Sequence, residues 1–228
     1  MVLADGTVTT LGGDSPQQPG YDLLGAFTGS EGTLGVITKV VVRLLPRPET
    51  VSTVVADFPT VAAAGDAVTA IIAAGIVPAA IEMMDNLAVR AVEAAVPADT
   101  AAALVIELDG PADEVTEQFD RVLGLCRRHG STKLRVADDP AERELIWTGR
   151  KAAFAAAGRL SPDYIVQDGV VPRGRLGEVL VRIAGMADEA GLRVANVFHA
   201  GDGNLHLQVL LAEHRGHGAG LVGADAGR

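Results

Sequence analysis

Two histidines near the end of the chain have a spacing suited to joint chemistry. They bound the segment His199-Ala200-Gly201-Asp202-Gly203-Asn204-Leu205-His206. Asp202-Gly203 favours a two-residue hairpin turn, and a turn centred there places His199 directly opposite His206, with Cβ atoms about 4.5–5.5 Å apart. Two imidazoles so placed can chelate one divalent metal, for which zinc or another transition ion is the natural guest. The alternative is an ordinary cross-strand histidine pair beside a turn, without metal.

A glycine-rich segment, Gly29-Ser30-Glu31-Gly32-Thr33-Leu34-Gly35, is the second candidate for ligand contact. Its three glycines allow the backbone to approach a ligand closely, and free N–H groups there can meet polar ligand atoms. The segment has neither the glycine order of a dinucleotide-binding loop nor the lysine of a P-loop. The alternative interpretation is a plain turn.

Four further side chains are weaker candidates. Arg150 and Lys151 follow Trp147 in a predicted helix, where paired cations usually form a solvated face. Asp168 lies inside an apolar strand and therefore needs a partner, which can be purely structural. Cys126 falls on the apolar stripe of a predicted helix and is expected to be inert packing.

Composition excludes several classes of protein. The 228 residues include 27 Gly and 11 Pro, with 48% hydrophobic and 21% charged residues, which excludes a coiled coil and a disordered chain. The net charge of −10 argues against nucleic-acid and anionic-membrane surfaces, although one buried arginine can still hold a carboxylate. A single cysteine and no secretory signal predict a cytoplasmic protein without a disulfide. The apolar run 61–81 predicts an amphipathic helix followed by a turn, and no membrane span.

The pattern of elements predicts an α+β fold. We expect a strand over 36–45 and a domain boundary at 46–48, where two prolines stop strand pairing. Beyond it, strands and helices alternate, and a helix starts at Asp139, an N-cap followed by proline. The expected arrangement is an antiparallel or mixed sheet with helices on one face, ending in a hairpin. Strands are predicted at 51–57, 103–108, 134–136, 164–171, 193–199 and 205–211, and the other helices at 61–72, 87–97, 115–126 and 176–191.

Three segments together resemble a known flavoprotein family. GYDLLGAFTGSEGTLGVITKVVVRLLPRPE at 20–49 resembles the end of the FAD-binding domain of vanillyl-alcohol-oxidase-type flavoproteins. DYIVQDGVVPRGRL at 163–176 and VANVFHAGDGNLH at 194–206 resemble the C-terminal cap domain of the branch that holds the glycolate oxidase flavoprotein subunit, D-lactate dehydrogenase and D-2-hydroxyglutarate dehydrogenase. The resemblance implies an FAD-binding part at 1–48, a cap domain at 49–212 and a divergent tail at 213–228.

The resemblance also implies an activity and its residues. A D-2-hydroxy acid such as glycolate or D-lactate would pass a hydride from Cα to flavin N5 and become the 2-oxo acid. His199 and His206 would bind a divalent metal, often zinc, that grips the substrate; Arg150 would hold its carboxylate, and His206 and Arg150 would be catalytic. The electron acceptor stays open. The residues implied to lie against FAD are Gly29, Ser30, Glu31, Gly32, Gly35, Val36 and Ile37.

The sequence departs from the family pattern at two places. The pyrophosphate-cradling loop that opens the family's FAD domain is absent, so we expect a fragment that holds flavin weakly or not at all. The family's Glu-His-Gly motif, a third metal ligand, is echoed by Glu213-His214, but it comes early and Arg215 replaces the glycine. The alternative function is a non-catalytic cap domain, or a metal-binding subunit that needs a separate flavin-domain chain.

Overall fold

The computed structural model describes residues 1–13, 20–92 and 100–211, and it divides into two units, Met1–Arg47 and Pro48–Arg228. In the smaller unit, Val2 forms isolated bridges with Val8 and Val36. The unit's helix is α1, Leu23–Phe27, where Asp22 accepts a hydrogen bond from the N–H of Gly25.

The predicted strand over 36–45 is wrong. Only Val36 is bridged, and the apolar side chains from Val40 to Leu45 are exposed. A strand needs a neighbour that satisfies its N–H and C=O groups, and no described segment pairs with residues 37–45. The apolar pattern was therefore not sufficient to produce a strand.

The larger unit is built on a seven-stranded sheet. Its order is β4-β1-β3-β2-β6-β7-β5, and every neighbouring pair is antiparallel, which confirms the antiparallel alternative. The strands are β1 Thr50–Phe58, β2 Ala80–Asp85, β3 Ala102–Gly110, β4 Lys133–Val136, β5 Asp163–Val170, β6 Arg193–His199 and β7 Asn204–Leu211.

Among the described residues, five α-helices accompany the sheet: α2 Val61–Ala73, α3 Asn86–Val92, α4 Ala112–Arg128, α5 Pro140–Ala156 and α6 Leu176–Glu189. Local sequence explains several of their ends. The Asp139 side chain accepts from the N–H of Glu142 at the start of α5, as predicted, and Gly191 follows α6 with a φ of 67°. Pro97, expected to end α3, lies outside the described residues.

Helices cover both faces of the sheet, so the expectation of one covered face is wrong. Alternate residues of β3 enter two separate cores: Leu104 and Ile106 pack with α2, α4 and α6, whereas Ala103 and Val105 pack with α3 and α5. The seven residues from Ala102 to Leu108 are all buried, which requires cover on both sides.

Strand β2 was missed in the sequence, which predicted a turn there. It lies between β3 and β6 and pairs with both strands. Its sequence, AIEMMD, has one β-branched residue and no alternation of polar and apolar side chains. Pairing with two flanking strands, a tertiary effect, decides its conformation.

Helices α2 and α6 touch through two glycines, which generates a stability prediction. A Cβ atom at Gly65 would lie 2.7 Å from the backbone of Gly177, so Gly65→Ala should destabilise the fold by about 1–3 kcal/mol. The control is Gly185→Ala on the exposed side of α6, where a Cβ meets nothing within 4 Å; it should gain up to about 1 kcal/mol of helix propensity. Urea unfolding measures both, and equal effects would contradict the close contact.

Candidate active site

Helix α5 carries a row of side chains across one face of the sheet. The row consists of residues spaced by four, three and four positions, which share one side of a helix: Arg143, Trp147, Arg150 and Phe154. The row lies over β3, β2 and β7 in turn. Arg143 and Trp147 contact Glu107 of β3. Arg150 contacts Glu82 of β2, and the backbone carbonyl of Phe154 accepts from Gln208 of β7.

The first contact of this row is a closed polar cluster at Glu107. Its carboxylate accepts from Arg143 Nε at 2.7 Å and Nη2 at 2.8 Å, from Trp147 Nε1 at 2.6 Å and from Thr53 Oγ1 at 2.7 Å. Burial by itself would raise the pKa of Glu107, but the hydrogen bonds from its three partners outweigh burial and hold that pKa below its ordinary value. The oxygens of Glu107 are thus occupied within the protein.

The second contact is centred on Glu82 of β2. Its Oε2 accepts from Arg150 Nη2 at 2.6 Å and Nε at 3.2 Å, and its Oε1 lies 2.8 Å from His199 Nδ1. Glu82 is 7% exposed and lies directly opposite His199 in the β2–β6 ladder. Sequence reasoning missed this carboxylate because it missed β2; a glutamate inside the apolar run 79–84 was the available signal.

The hairpin brings the two predicted histidines together, but in a different register. His199 pairs with Asn204, so four residues form the turn and His206 is the diagonal neighbour on the same face. The imidazole centroids are 5.3 Å apart, with the rings inclined at 81°. The predicted placement of His199 opposite His206 is therefore wrong, whereas their proximity is confirmed.

Neighbouring segments explain the wider turn. The N–H of Gly201 donates to the carbonyl of Ile81 in β2 at 3.1 Å, and the N–H of Val171 donates to the carbonyl of Gly203 at 2.9 Å. These two hydrogen bonds hold the N–H of Gly201 and the carbonyl of Gly203 outward, toward the neighbouring segments. The turn type is thus set by its two flanks rather than by Asp202-Gly203 alone.

His206 has its own carboxylate and aromatic neighbours. Asp168 lies opposite His206 in the β5–β7 ladder, with Oδ1 3.4 Å from Nδ1 of the imidazole. The ring of Phe154 meets the imidazole edge-on at a centroid distance of 6.2 Å. The side chain of Asp168 is 65% exposed, so the expectation that a buried position would require a partner is wrong, and His206 is its neighbour rather than a required one.

Two buried polar atoms on β7 have no hydrogen-bond partner in the described part of the chain. They are Oδ1 of Asn204 and Oε1 of Gln208, which flank His206 on the same face of the strand. Gln208 is fully buried, and its Nε2 donates to the carbonyl of Phe154 at 2.9 Å. Buried acceptors without partners are costly, and they suit a site that a polar ligand completes.

The donor set fits a metal that keeps open positions. His199 and His206 supply two imidazoles, and the residues described contain no cluster of three or more His, Cys, Asp or Glu side chains that could hold a metal ion. Two nearby imidazoles with unpaired amide oxygens beside them resemble an open site more than a closed structural one. The candidate third ligand at 213–214 lies outside the described residues.

A cleft of about 230 Å³ reaches His199 from the side of the turn. The polar residues that line it are Glu82, Arg173, His199 and Asp202, and they lie beside the apolar residues Ile72 and 77–81. Arg173 Nη1 also lies 3.4 Å from the carbonyl oxygen of Gly201. The cleft offers both charge signs and space for a small molecule.

The other predicted residues are placed as follows. Cys126 is fully buried, and burial raises the pKa of its thiol to about 11, as expected for inert packing. Lys151 is exposed on α5.

The glycine-rich segment lies in the smaller unit and is largely exposed. Gly29 and Gly32 have φ values of 81° and 78°, and an added Cβ at either would meet no atom within 4 Å. This open backbone fits the close approach of a flat cofactor. Val36 differs, because its N–H and C=O both pair with Val2 at 2.8 Å, while Ile37 is exposed.

Comparison with known proteins identifies the family of this chain. Residues 47–219 match the family described as FAD linked oxidases, C-terminal domain. The chain belongs to this family of FAD-linked oxidases. It is 51% identical over 210 residues to glycolate oxidase subunit GlcD of Escherichia coli strain K12, covering 90% of this chain and 42% of that protein.

The chain is also similar to more distant relatives. A glycolate oxidase subunit GlcD of Bacillus subtilis is 35% identical, with 90% of this chain and 45% of that protein covered. A mitochondrial D-lactate dehydrogenase (cytochrome) of Arabidopsis thaliana is 32% identical, with coverages of 92% and 38%. The chain thus spans about two-fifths of the length of these relatives.

Solved structures share the fold at low sequence identity. A substrate-bound p-cresol methylhydroxylase superposes with a TM-score of 0.67 at 14% identity, covering 92% of this chain and 50% of that one. An alkyldihydroxyacetonephosphate synthase gives a TM-score of 0.62 at 19% identity, with coverages of 85% and 42%. Across the described residues, none of the helices has the length and apolarity needed to cross a membrane.

Asp85 fastens the strand of Glu82 to the strand of His199. Its Oδ2 accepts from the N–H of Asn196 at 2.8 Å and from Asn196 Nδ2 at 2.7 Å, and its Oδ1 accepts from the N–H of Ala88 at the start of α3. Burial is the main cause that raises the pKa of Asp85 from 3.8 to about 6.

This shift predicts a pH-dependent stability. The folded state holds the Asp85 proton more tightly than the unfolded chain, so the contribution to the free energy of unfolding is greatest below about pH 4 and falls as pH rises through about 6. The fall amounts to about 3 kcal/mol. Urea unfolding at a series of pH values measures this free energy for the wild type and for Asp85→Asn. Between about pH 4 and 6 the wild type should lose more stability than Asp85→Asn, and an equal pH dependence in the two proteins would refute the assignment.

Proposed function

We propose that this chain carries the substrate-holding part of an FAD-dependent oxidase of small D-2-hydroxy acids. The observation that carries the proposal is the single carboxylate of Glu82, which joins an arginine, Arg150, to one of two adjacent imidazoles, that of His199. The relatives named glycolate oxidase subunit and D-lactate dehydrogenase support a substrate with a hydroxyl beside a carboxylate.

The proposed domain organisation has three parts. Residues 1–48 form the end of an FAD-binding domain, 49–212 the cap domain and 213–228 a divergent tail. The division at Arg47 and Pro48 and the family match from residue 47 support the first boundary. The single cysteine supports a cytoplasmic location, and relatives named as subunits support further subunits.

The protein's own groups would hold the substrate at two points. Arg150 uses Nε and Nη2 for Glu82, so its remaining amino group, Nη1, would bind the substrate carboxylate. His199 and His206 would hold a divalent metal such as zinc beside the substrate hydroxyl, and the unpaired oxygens of Asn204 and Gln208 would complete the polar lining. Gripping both ends of the 2-hydroxy acid fixes the direction of its Cα–H bond.

The chemistry depends on two groups that the chain would bind. When bound, FAD supplies the two-electron oxidation and the metal supplies the Lewis acidity that eases loss of the hydroxyl proton. In the proposed oxidation a general base would take the hydroxyl proton and the hydride from Cα would pass to FAD, as the substrate's C–O single bond becomes a carbonyl. The residues from Gly29 to Ile37 would contribute the backbone for FAD, among which Gly29 and Gly32 are the most open.

Removal of one imidazole tests the metal site. Loss of a group that only orients a metal ligand lowers metal affinity about 10–100-fold. His199→Ala and His206→Ala remove a ligand itself, so each should lower the affinity of the full chain for zinc by more than that. Zinc titration monitored by calorimetry measures it, with metal content as a second readout. His129→Ala, at the C-terminal end of α4, is the control and should bind as the wild type does. Unchanged zinc binding in His199→Ala would refute the site.

Loss of the planar guanidinium tests carboxylate recognition. A lysine ammonium cannot serve Glu82 and a substrate carboxylate with the same geometry, so Arg150→Lys should bind D-lactate at least about tenfold more weakly, since hydrogen bonds between charged groups contribute about 1.5–3 kcal/mol. Calorimetry of the full chain with zinc and FAD supplied measures this affinity. Arg143→Lys, on the same helix but paired with Glu107, is the matched control. Equal affinities of the two variants would contradict the role of Arg150.

A further inference from the structure

We propose that Glu82 is a positioning residue that fixes the His199 tautomer, keeping the proton on Nδ1 and the lone pair on Nε2. The inference rests on the proposed function, because a free Nε2 is what lets His199 bind a metal. Glu82 touches neither substrate nor cofactor in this role and acts through His199.

Hydrogen-bond inventory determines the tautomer. An ionised carboxylate only accepts, and Arg150 occupies Oε2, so Oε1 accepts from His199 Nδ1 across 2.8 Å. A neutral imidazole carries one N–H, and that proton is therefore on Nδ1. Nε2 is left as the nitrogen that can coordinate a metal.

The second imidazole has the same arrangement. His206 Nδ1 faces Asp168 Oδ1 at 3.4 Å, so both histidines present Nδ1 to a carboxylate while their rings lie 5.3 Å apart. The two carboxylates differ in burial, because Glu82 is enclosed and Asp168 is 65% exposed. Water competes little at Glu82, which makes it the stronger constraint on tautomer.

The sheet does not need this contact for its own integrity. Asp85 already joins β2 to β6 through Asn196, and Gly201 joins the turn to Ile81. Glu107 shows the same buried pairing of a glutamate with an arginine of α5, but it has no histidine partner. Glu107 therefore supplies a control with similar burial and charge.

Glu82→Gln reverses the proton position. The donors of Arg150 require an acceptor, so the amide oxygen faces Arg150 and the amide NH₂ faces His199 Nδ1. Nδ1 must then accept, and the proton moves to Nε2, where it blocks coordination. Long-range ¹H–¹⁵N spectra of the metal-free full chain at about pH 8, where ordinary imidazoles are neutral, report which nitrogen carries the proton; His199→Ala assigns the signals.

The expected results form a matched set. Wild type and Glu107→Gln should show the Nδ1–H tautomer at His199, and Glu82→Gln should show Nε2–H with a zinc affinity about 10–100-fold lower. Glu82→Asp keeps an acceptor and should restore the Nδ1–H tautomer. If Glu82→Gln does not fold by circular dichroism, the spectrum of Glu82→Asp decides: an Nε2–H signal there overturns the inference.

The outcomes separate this inference from the proposed function. Zinc binding that is equal in wild type and Glu82→Gln would overturn the role of Glu82 and leave the metal site standing. An Nε2–H tautomer in the wild type would overturn it as well. An Nδ1–H tautomer in a wild type that binds no zinc would instead overturn the metal site and support the effect of Glu82 on His199.

Discussion

The ion pair between Glu82 and Arg150 is the constraint on which the rest of the candidate site depends. A carboxylate and a guanidinium that are almost fully enclosed cost several kcal/mol each in lost hydration, and they are tolerated only when their hydrogen bonds are made. Glu82 meets that condition with partners from two other elements, α5 and β6. Removing either ion would leave a buried charge unpaired, at a cost of about 3–5 kcal/mol.

Helix α5 can reach these partners because its sheet-facing row follows the helical repeat. One helix thereby satisfies two buried glutamates, Glu107 and Glu82, and ends over β7 at Gln208. Both carboxylate oxygens of Glu107 accept hydrogen bonds from protein donors, whereas the cluster around His199 leaves amide oxygens without partners among the described residues. The contrast between a closed and an open polar cluster on one helix face is what distinguishes structure from candidate site.

The sequence was informative where a signal is local. The Asp139 cap and the stripe of α4 follow from spacing within one element and appear as expected. The hairpin also forms and brings its two histidines together, although with a wider turn than predicted. The failures concern pairing between distant segments. β2 was missed because its neighbours determine it, and the run 36–45 found no partner. The turn at 200–203 is shaped by a hydrogen bond that Gly201 donates to Ile81 and one that Gly203 accepts from Val171. Glu82 could not be assigned because its strand was not recognised.

The hairpin of β6 and β7 lies inside the sheet, with β2 on one side and β5 on the other. The part of β6 that carries His199 is therefore paired on both sides, with β2 at 197–199 and with β7, so this end of the hairpin cannot open by fraying as an edge would. Moving His199 away from His206 requires separating the β6–β7 ladder that joins their strands. The spacing of the two imidazoles therefore persists for as long as these ladders stay paired.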